Sequence, residues 1–205
     1  MSRLAIVGAG LMGEAILSGL RTAGWPGAEI VVCDQRAERI AELRDRYEVA
    51  GADLGEAVVD ARTVLLAVKP GDVGAVLAQL RPLLTEGTLV LSVCAGVTLA
   101  TLEAGLAAGT PVVRAMPNTP ARVGQGITAL SPGGHATAEH LAEVTEILGA
   151  VGAVVTVAEK LQDSVTAVSG SGPAYVFLVA EALIEGGVHA GLSRDVAREL
   201  VVQTL

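Results

Sequence analysis

The 205 residues, about half of them hydrophobic and only 18% charged, suffice for one large domain or for one domain and part of another. The formal net charge of −8 argues against a nucleic-acid partner, whose phosphate backbone selects basic surfaces. No uninterrupted apolar run reaches the roughly 18 residues that cross a bilayer, so no membrane partner is expected, and the surplus apolar surface reads as core plus a subunit interface. Cys33 and Cys94 lack metal-ligand spacing and read as buried thiols of a reducing compartment. The opening Met1-Ser2-Arg3 carries no signal-peptide pattern, so a cytoplasmic location is expected.

Residues 4–7 form a short apolar run ending in glycines and read as a buried strand. Residues 11–23 have helical spacing, and Gly24-Trp25-Pro26-Gly27 breaks the chain. A second strand is predicted over 29–33, an exposed amphipathic helix over 36–46, and a third strand over 64–68. A helix over 73–84, a strand over 89–93, a helix near 98–107 and a strand over 112–115 follow. Strands alternating with helices imply parallel pairing through crossovers. Less regular signals give a strand at 126–130, a turn at Ser131-Pro132-Gly133-Gly134, a helix over 136–148 and a last strand at 154–157. From Lys160 onward only helix signals remain. Gly170-Ser171-Gly172-Pro173 interrupts them, Gly191 is a C-cap, and Ser193 caps a final helix. The expected fold is α/β, a mostly parallel Rossmann-type sheet with helices on both faces over 1–160, followed by an all-helical domain from 161 to 205.

Gly8-Ala9-Gly10-Leu11-Met12-Gly13 lies between the first strand and the first helix. Gly8 permits the tight turn, Gly10 lets backbone approach a pyrophosphate, and Gly13 lets the helix pack close to the strand. The helix N-terminus offers free N–H groups to the anion. Two residues after the second strand give opposed signals. Asp34 sits where a carboxylate holds a ribose 2′-hydroxyl, favouring NAD, whereas Arg36 could pair with a 2′-phosphate, favouring NADP. Arg36 pairing with Asp34, or capping the next helix, is the alternative.

Open parallel sheets bind ligands beyond the carboxyl ends of their strands. Three segments leave strands there. Ala67-Val68-Lys69-Pro70 brings a lysine toward a cofactor phosphate or ribose. Ala95 and Gly96 are small enough for a planar ring to approach. Pro117 and Asn118 belong to a loop stiffened by Pro117 and Pro120, which could orient a carboxamide or a substrate. Each has a plain structural reading as a turn.

Taken together, Gly8 to Gly13, Ala67-Val68-Lys69-Pro70, Met116-Pro117-Asn118-Thr119-Pro120 and above all Ser169-Gly170-Ser171-Gly172-Pro173-Ala174-Tyr175-Val176-Phe177 resemble the pyrroline-5-carboxylate reductase family, in order, from residue 3 to residue 205. The resemblance implies reduction of 1-pyrroline-5-carboxylate to L-proline by hydride from NADPH, with NAD possible, and a small-molecule substrate. It also implies self-association through the C-terminal helices into dimers, often assembled into decamers. The family's substrate-carboxylate loop falls beyond Leu205. Where many members carry Asn to hold the cofactor ribose, this sequence has Leu54. An imine nitrogen is readily protonated and the iminium is already a good hydride acceptor, so catalysis rests on positioning. For Ser171 two readings stand: a hydrogen bond to substrate or carboxamide, the one catalytic assignment, or an N-cap ahead of Pro173. The rival readings are a 3-hydroxyacid dehydrogenase-like oxidoreductase, which needs a lysine on the domain-joining helix where none lies beyond Lys160, and a non-catalytic nucleotide-binding protein.

Overall fold

The computed structural model of the chain describes residues 4–205; Met1, Ser2 and Arg3, on which the leader reading rests, lie outside the described residues. Eight described strands form one sheet in the order β3-β2-β1-β4-β5-β6-β7-β8. They are β1 (Leu4–Val7), β2 (Ile30–Cys33), β3 (Ala50–Gly51), β4 (Thr63–Leu66), β5 (Leu89–Ser92), β6 (Val112–Met116), β7 (Gly126–Pro132) and β8 (Gly152–Thr156). The helices between them are α1 (Leu11–Thr22), α2 (Ala37–Tyr47), α3 (Leu54–Val58), α4 (Val73–Leu80), α5 (Leu99–Gly105) and α6 (Ala138–Gly149).

The first four long strands are buried on both faces because consecutive side chains enter different cores. Leu4 and Ile6 pack with Ile16, Leu17 and Leu20 of α1 on one face. Ala5 and Val7 pack with Val58, Val73 and Leu77 on the other. All neighbouring pairs are parallel except β6 with β7, which is antiparallel. Their connection contains only a 3₁₀ turn over Thr119–Val123, closed by Gly124 at φ 70°, and so lacks the crossover helix that a parallel return requires.

The structure corrects several sequence expectations. β4 ends at Leu66, and α4 ends at Leu80. β3 and α3 were not expected, being too short to show a period. Ser131 and Pro132 are not a turn but the end of β7, with Ser131 opposite Arg114 in the ladder.

The largest correction lies at the C-terminus. A 3₁₀ turn at Glu159–Leu161, α7 (Gln162–Val165), a π-helical turn at Thr166–Gly170 and α8 (Gly172–His189) run on as one helical rod. Gly170-Ser171-Gly172-Pro173 does not interrupt it. The Ser171 N–H donates to the Thr166 carbonyl at 2.8 Å, an i to i+5 register that takes up the extra residue ahead of Pro173. By length and composition the stretch Glu159–His189 is therefore long and apolar enough to cross a membrane, which no continuous apolar run in the sequence is. Tyr175, Val176, Phe177 and Leu178 on it are exposed. The final helix α9 (Arg194–Thr204) is capped by Ser193, whose side chain accepts from the Val196 N–H. It packs where Gly187 leaves room for Ala197.

Candidate functional site

The order of the strands reverses between β1 and β4, the switch point at which open α/β sheets bind nucleotides. Both strands are followed there by tight backbone. Gly8 donates to the Cys33 carbonyl at 2.9 Å, and Ala67 donates to the Val7 carbonyl at 2.8 Å. Gly8 has φ +99°, and a Cβ on it would lie 2.6 Å from the Ala67 carbonyl oxygen; only glycine fits. A Cβ on Gly13 would collide with the Gly8 carbonyl, so α1 approaches the turn as closely as backbone allows. Gly10 differs: a Cβ there would meet nothing within 4 Å. The turn thus has two glycines that serve the protein's own packing and one that faces open space.

That space is a cleft of about 580 Å³. Of the residues expected to hold a cofactor, Gly8, Gly10, Asp34, Arg36, Ala67, Val68 and Lys69 line it. Leu11 and Met12 begin α1 beside it, Leu11 exposed and Met12 packed against the core. Pro70 opens a 3₁₀ turn that leads into α4. Ala95 and Gly96 form an exposed turn after β5, Gly96 at φ +75°. Sequence reasoning missed Asp53, Asp72 and Gln79 in the cleft lining. Asp53 had a usable signal: Asp-x-x-Glu is an N-cap pattern, and the Asp53 carboxylate accepts from the Glu56 N–H at 2.9 Å.

Asp34 and Arg36 turn out to be partners. One Asp34 oxygen accepts from the Ala9 N–H at 2.9 Å; the other accepts from the Arg36 N–H at 3.0 Å and its Nε at 3.1 Å. Burial pushes the Asp34 carboxyl up, but the Arg36 side chain and the two backbone N–H groups outweigh it, so its pKa lies below the ordinary value. On the next turn, Arg39 donates from Nε to the Ala9 carbonyl at 2.9 Å and also pairs with Glu14. Arg46 joins Glu14 from the other side at 2.7 Å. Glu14 stands in the first turn of α1, where a bare carboxylate would repel a bound phosphate; these two arginines offset its charge. Cys33 also lines the cleft, and its thiol is pushed up to about 11 by burial and by the carboxylates of Asp34 and Asp53.

Asn118 does not line the cleft. It is buried, donates from Nδ2 to the Ser169 carbonyl at 3.2 Å, and accepts from the Ile127 N–H at 3.0 Å. The reason lies in Pro173. A proline removes the helical bond to the carbonyl four residues earlier, here that of Ser169, and Asn118 supplies the missing donor. The loop after β6 is in this way tied to the helical rod. Pro117 is buried beside it. Ser171 lies two residues past the tie, half-buried, in helical geometry, and without a side-chain cap bond; the N-cap reading loses its support.

A glycine turn at the switch point of a parallel sheet, with a helix N-terminus and two cations beside it, defines a dinucleotide-binding protein of the Rossmann type. Residues 3–96 accordingly match the family described as "NADP oxidoreductase coenzyme F420-dependent", and residues 159–205 match "Pyrroline-5-carboxylate reductase dimerisation". Over its whole length the chain is 47% identical to the pyrroline-5-carboxylate reductase of Mycobacterium tuberculosis, spanning 72% of it. Over 98% of its length it is 41% identical to that of Pseudomonas aeruginosa, spanning 75% of it. The chain belongs to the pyrroline-5-carboxylate reductase family. Among solved structures, the Coxiella burnetii enzyme superposes with a TM-score of 0.94 at 33% identity, covering 99% of this chain and 76% of that one. The Plasmodium falciparum enzyme, solved with NADP bound, gives 0.88 at 30% identity, covering 99% and 75%.

Proposed function

We propose that this chain reduces 1-pyrroline-5-carboxylate to L-proline with NADPH as reductant, the last step of proline synthesis. Membership of the family and the NADP carried by the Plasmodium relative support both substrate and cofactor; NADH is the weaker alternative. The single observation that carries the reading is the Asn118 to Ser169 tie. It fastens the 169–177 block, which bears the family's most specific sequence, to the carboxyl end of β6, on the sheet edge that also holds the glycine turn. The geometry fits the cofactor: Gly10 faces open space, and Arg36 and Lys69 line the cleft.

In this reading the N-terminus of α1 and the turn from Gly8 to Gly13, including Leu11 and Met12, receive the pyrophosphate. Arg36 receives the 2′-phosphate. Ala67, Val68, Lys69 and Pro70 flank the ribose, while Ala95, Gly96 and Pro117 border the nicotinamide side. Asn118 contributes by holding the loop. Bound NADPH supplies the hydride for the imine carbon. The residues need only orient the ring, because the imine nitrogen takes its proton from solvent and needs no dedicated strong acid. Ser171, whose hydroxyl has no partner among the described residues, donates a hydrogen bond to substrate or carboxamide.

The division at 160/161 follows the same reading, since β8 ends at Thr156 and every element from Glu159 onward is a helix or helical turn. Self-association runs through those helices, as the dimerisation match and the exposed Phe177 and Leu178 support; we take the dimer as its unit. The cytoplasm remains the expected location, supported by two buried free cysteines.

The test is Ser171→Ala in the full natural chain. Loss of one hydrogen bond to the reacting partner predicts kcat/KM for pyrroline-5-carboxylate lower by about three- to tenfold, with the NADPH dissociation constant unchanged where the bond goes to substrate and raised by a similar factor where it goes to the carboxamide. An unaltered kcat/KM would remove Ser171 from the mechanism.

A further inference from the structure

A carboxylate at the end of the second strand of this fold ordinarily accepts from a ribose 2′-hydroxyl, and its charge opposes a 2′-phosphate. Asp34 occupies that position yet is bonded for another task. We propose that Asp34 is a positioning residue that aims Arg36 at the cofactor's 2′-phosphate and fixes the phosphate-binding turn, not an acceptor for the ribose 2′-hydroxyl. The proposal rests on the reading of the cleft as a nicotinamide dinucleotide site.

An ionised carboxylate offers roughly four acceptor positions. Bonds from the Ala9 N–H, the Arg36 N–H and the Arg36 Nε fill three of them. The Asp34 side chain is 12% exposed, whereas that of Arg36 is 63% exposed; what the pair presents outward is guanidinium. Anchoring through Nε leaves both terminal nitrogens of Arg36 without another bond among the described residues. A planar fork held at its base with both tips open is the geometry that grips a phosphate by two bonds.

The clamp extends to the turn itself. Asp34 holds the N–H of Ala9, and Arg39 holds the same residue's carbonyl. Both polar groups of the residue between Gly8 and Gly10 are thus bonded, one from the β2–α2 connection and one from the first turn of α2. The pyrophosphate turn and the 2′-phosphate anchor are consequently one rigid unit. The other charged groups lining the cleft are Lys69, Asp53 and Asp72, and Asp53 is already engaged as the cap of α3. None of them is bonded to the Arg36 guanidinium.

Cofactor binding without substrate tests this, read by the fluorescence of NADPH and of NADH titrated against wild type, Asp34→Ala, Asp34→Asn, Arg36→Ala and the double variant Asp34→Ala/Arg36→Ala. Releasing an ion pair of this exposure is expected to lower the preference for NADPH over NADH by about two- to fivefold in both Asp34 variants. It should weaken both cofactors through the turn as well. In the Arg36→Ala background, Asp34→Ala should leave the preference unchanged. Asp34→Asn keeps the shape of the side chain and guards against a loss of fold in the alanine variant. A rise in NADPH preference in either variant, as removal of a ribose acceptor would produce, overturns the assignment. An equal fall with and without Arg36 does the same. Wild-type protein that bound neither cofactor would overturn both the assignment and the reading beneath it.

Discussion

Gly10→Ala adds a methyl group that meets no protein atom within 4 Å, on a residue already extended at φ −72° and ψ −169°, so the backbone bears no strain. Alanine caps a helix less well than glycine, a cost of up to about 1 kcal/mol. The loss of chain entropy in the unfolded state returns about 0.4–1 kcal/mol. The net change stays within about 1 kcal/mol, or a Tm shift of no more than about 2–4 °C for a chain of this length. The same methyl occupies the approach of a pyrophosphate to the α1 N-terminus. Displacing one charge-assisted hydrogen bond costs about 1.5–3 kcal/mol, which raises the NADPH dissociation constant about ten- to hundredfold. Gly8→Ala is the contrast. At φ +99°, with Ala67 backbone 2.6 Å from the new Cβ, strain of about 1–3 kcal/mol adds to the forcing apart of β1 and β4, so the fold itself suffers. Thermal denaturation and cofactor titration of both variants separate the two effects. Near-normal NADPH affinity in Gly10→Ala would refute the reasoning, because the open space would then belong to no ligand.

Cys33 lines the cleft with its thiol pushed up to about 11 by burial and neighbouring carboxylates. Alkylation by iodoacetamide should stay slow at pH 8 and rise only as pH approaches that value; a midpoint near 9 would contradict it. The folded thiol keeps its proton where the unfolded one has lost it, so this group's contribution to stability declines as pH rises from about 9, the ordinary value, to about 11. Phe177 is 69% exposed on α8, and Phe177→Glu should leave a folded protein of smaller assembly state by light scattering; an unchanged assembly would place the interface elsewhere. Asn118→Ala strips the Ser169 carbonyl and the Ile127 N–H of their partner. It should cost about 1–3 kcal/mol and speed hydrogen exchange at Ile127, whereas full stability with lost activity would mark Asn118 as a ligand contact instead.

The glycine turn was legible in the sequence because its physics is local: strand, three glycines, helix. The alternation of strands and helices showed for the same reason. What stayed hidden depends on contacts between distant residues. Asn118 carries the chemistry of a ligand-orienting amide, and nothing near it in the sequence reveals that Pro173 orphans a carbonyl 51 residues away in the chain from it. The glycines and proline at 170–173 are local break signals, overridden by one π-register bond from Ser171 to Thr166. Asp34 and Arg36 gave opposed readings of the cofactor, with their pairing as an alternative that spacing alone does not select; the structure shows that pairing. β3 has two residues, too few to set a pattern.

The central claim meets its most direct test in a coupled measurement on the full natural chain: NADPH, pyrroline-5-carboxylate, the decay of the reduced-nicotinamide absorbance and the appearance of proline. The account predicts one proline formed for each NADPH consumed, and a slower reaction with NADH. Cofactor binding without any proline formed would contradict it.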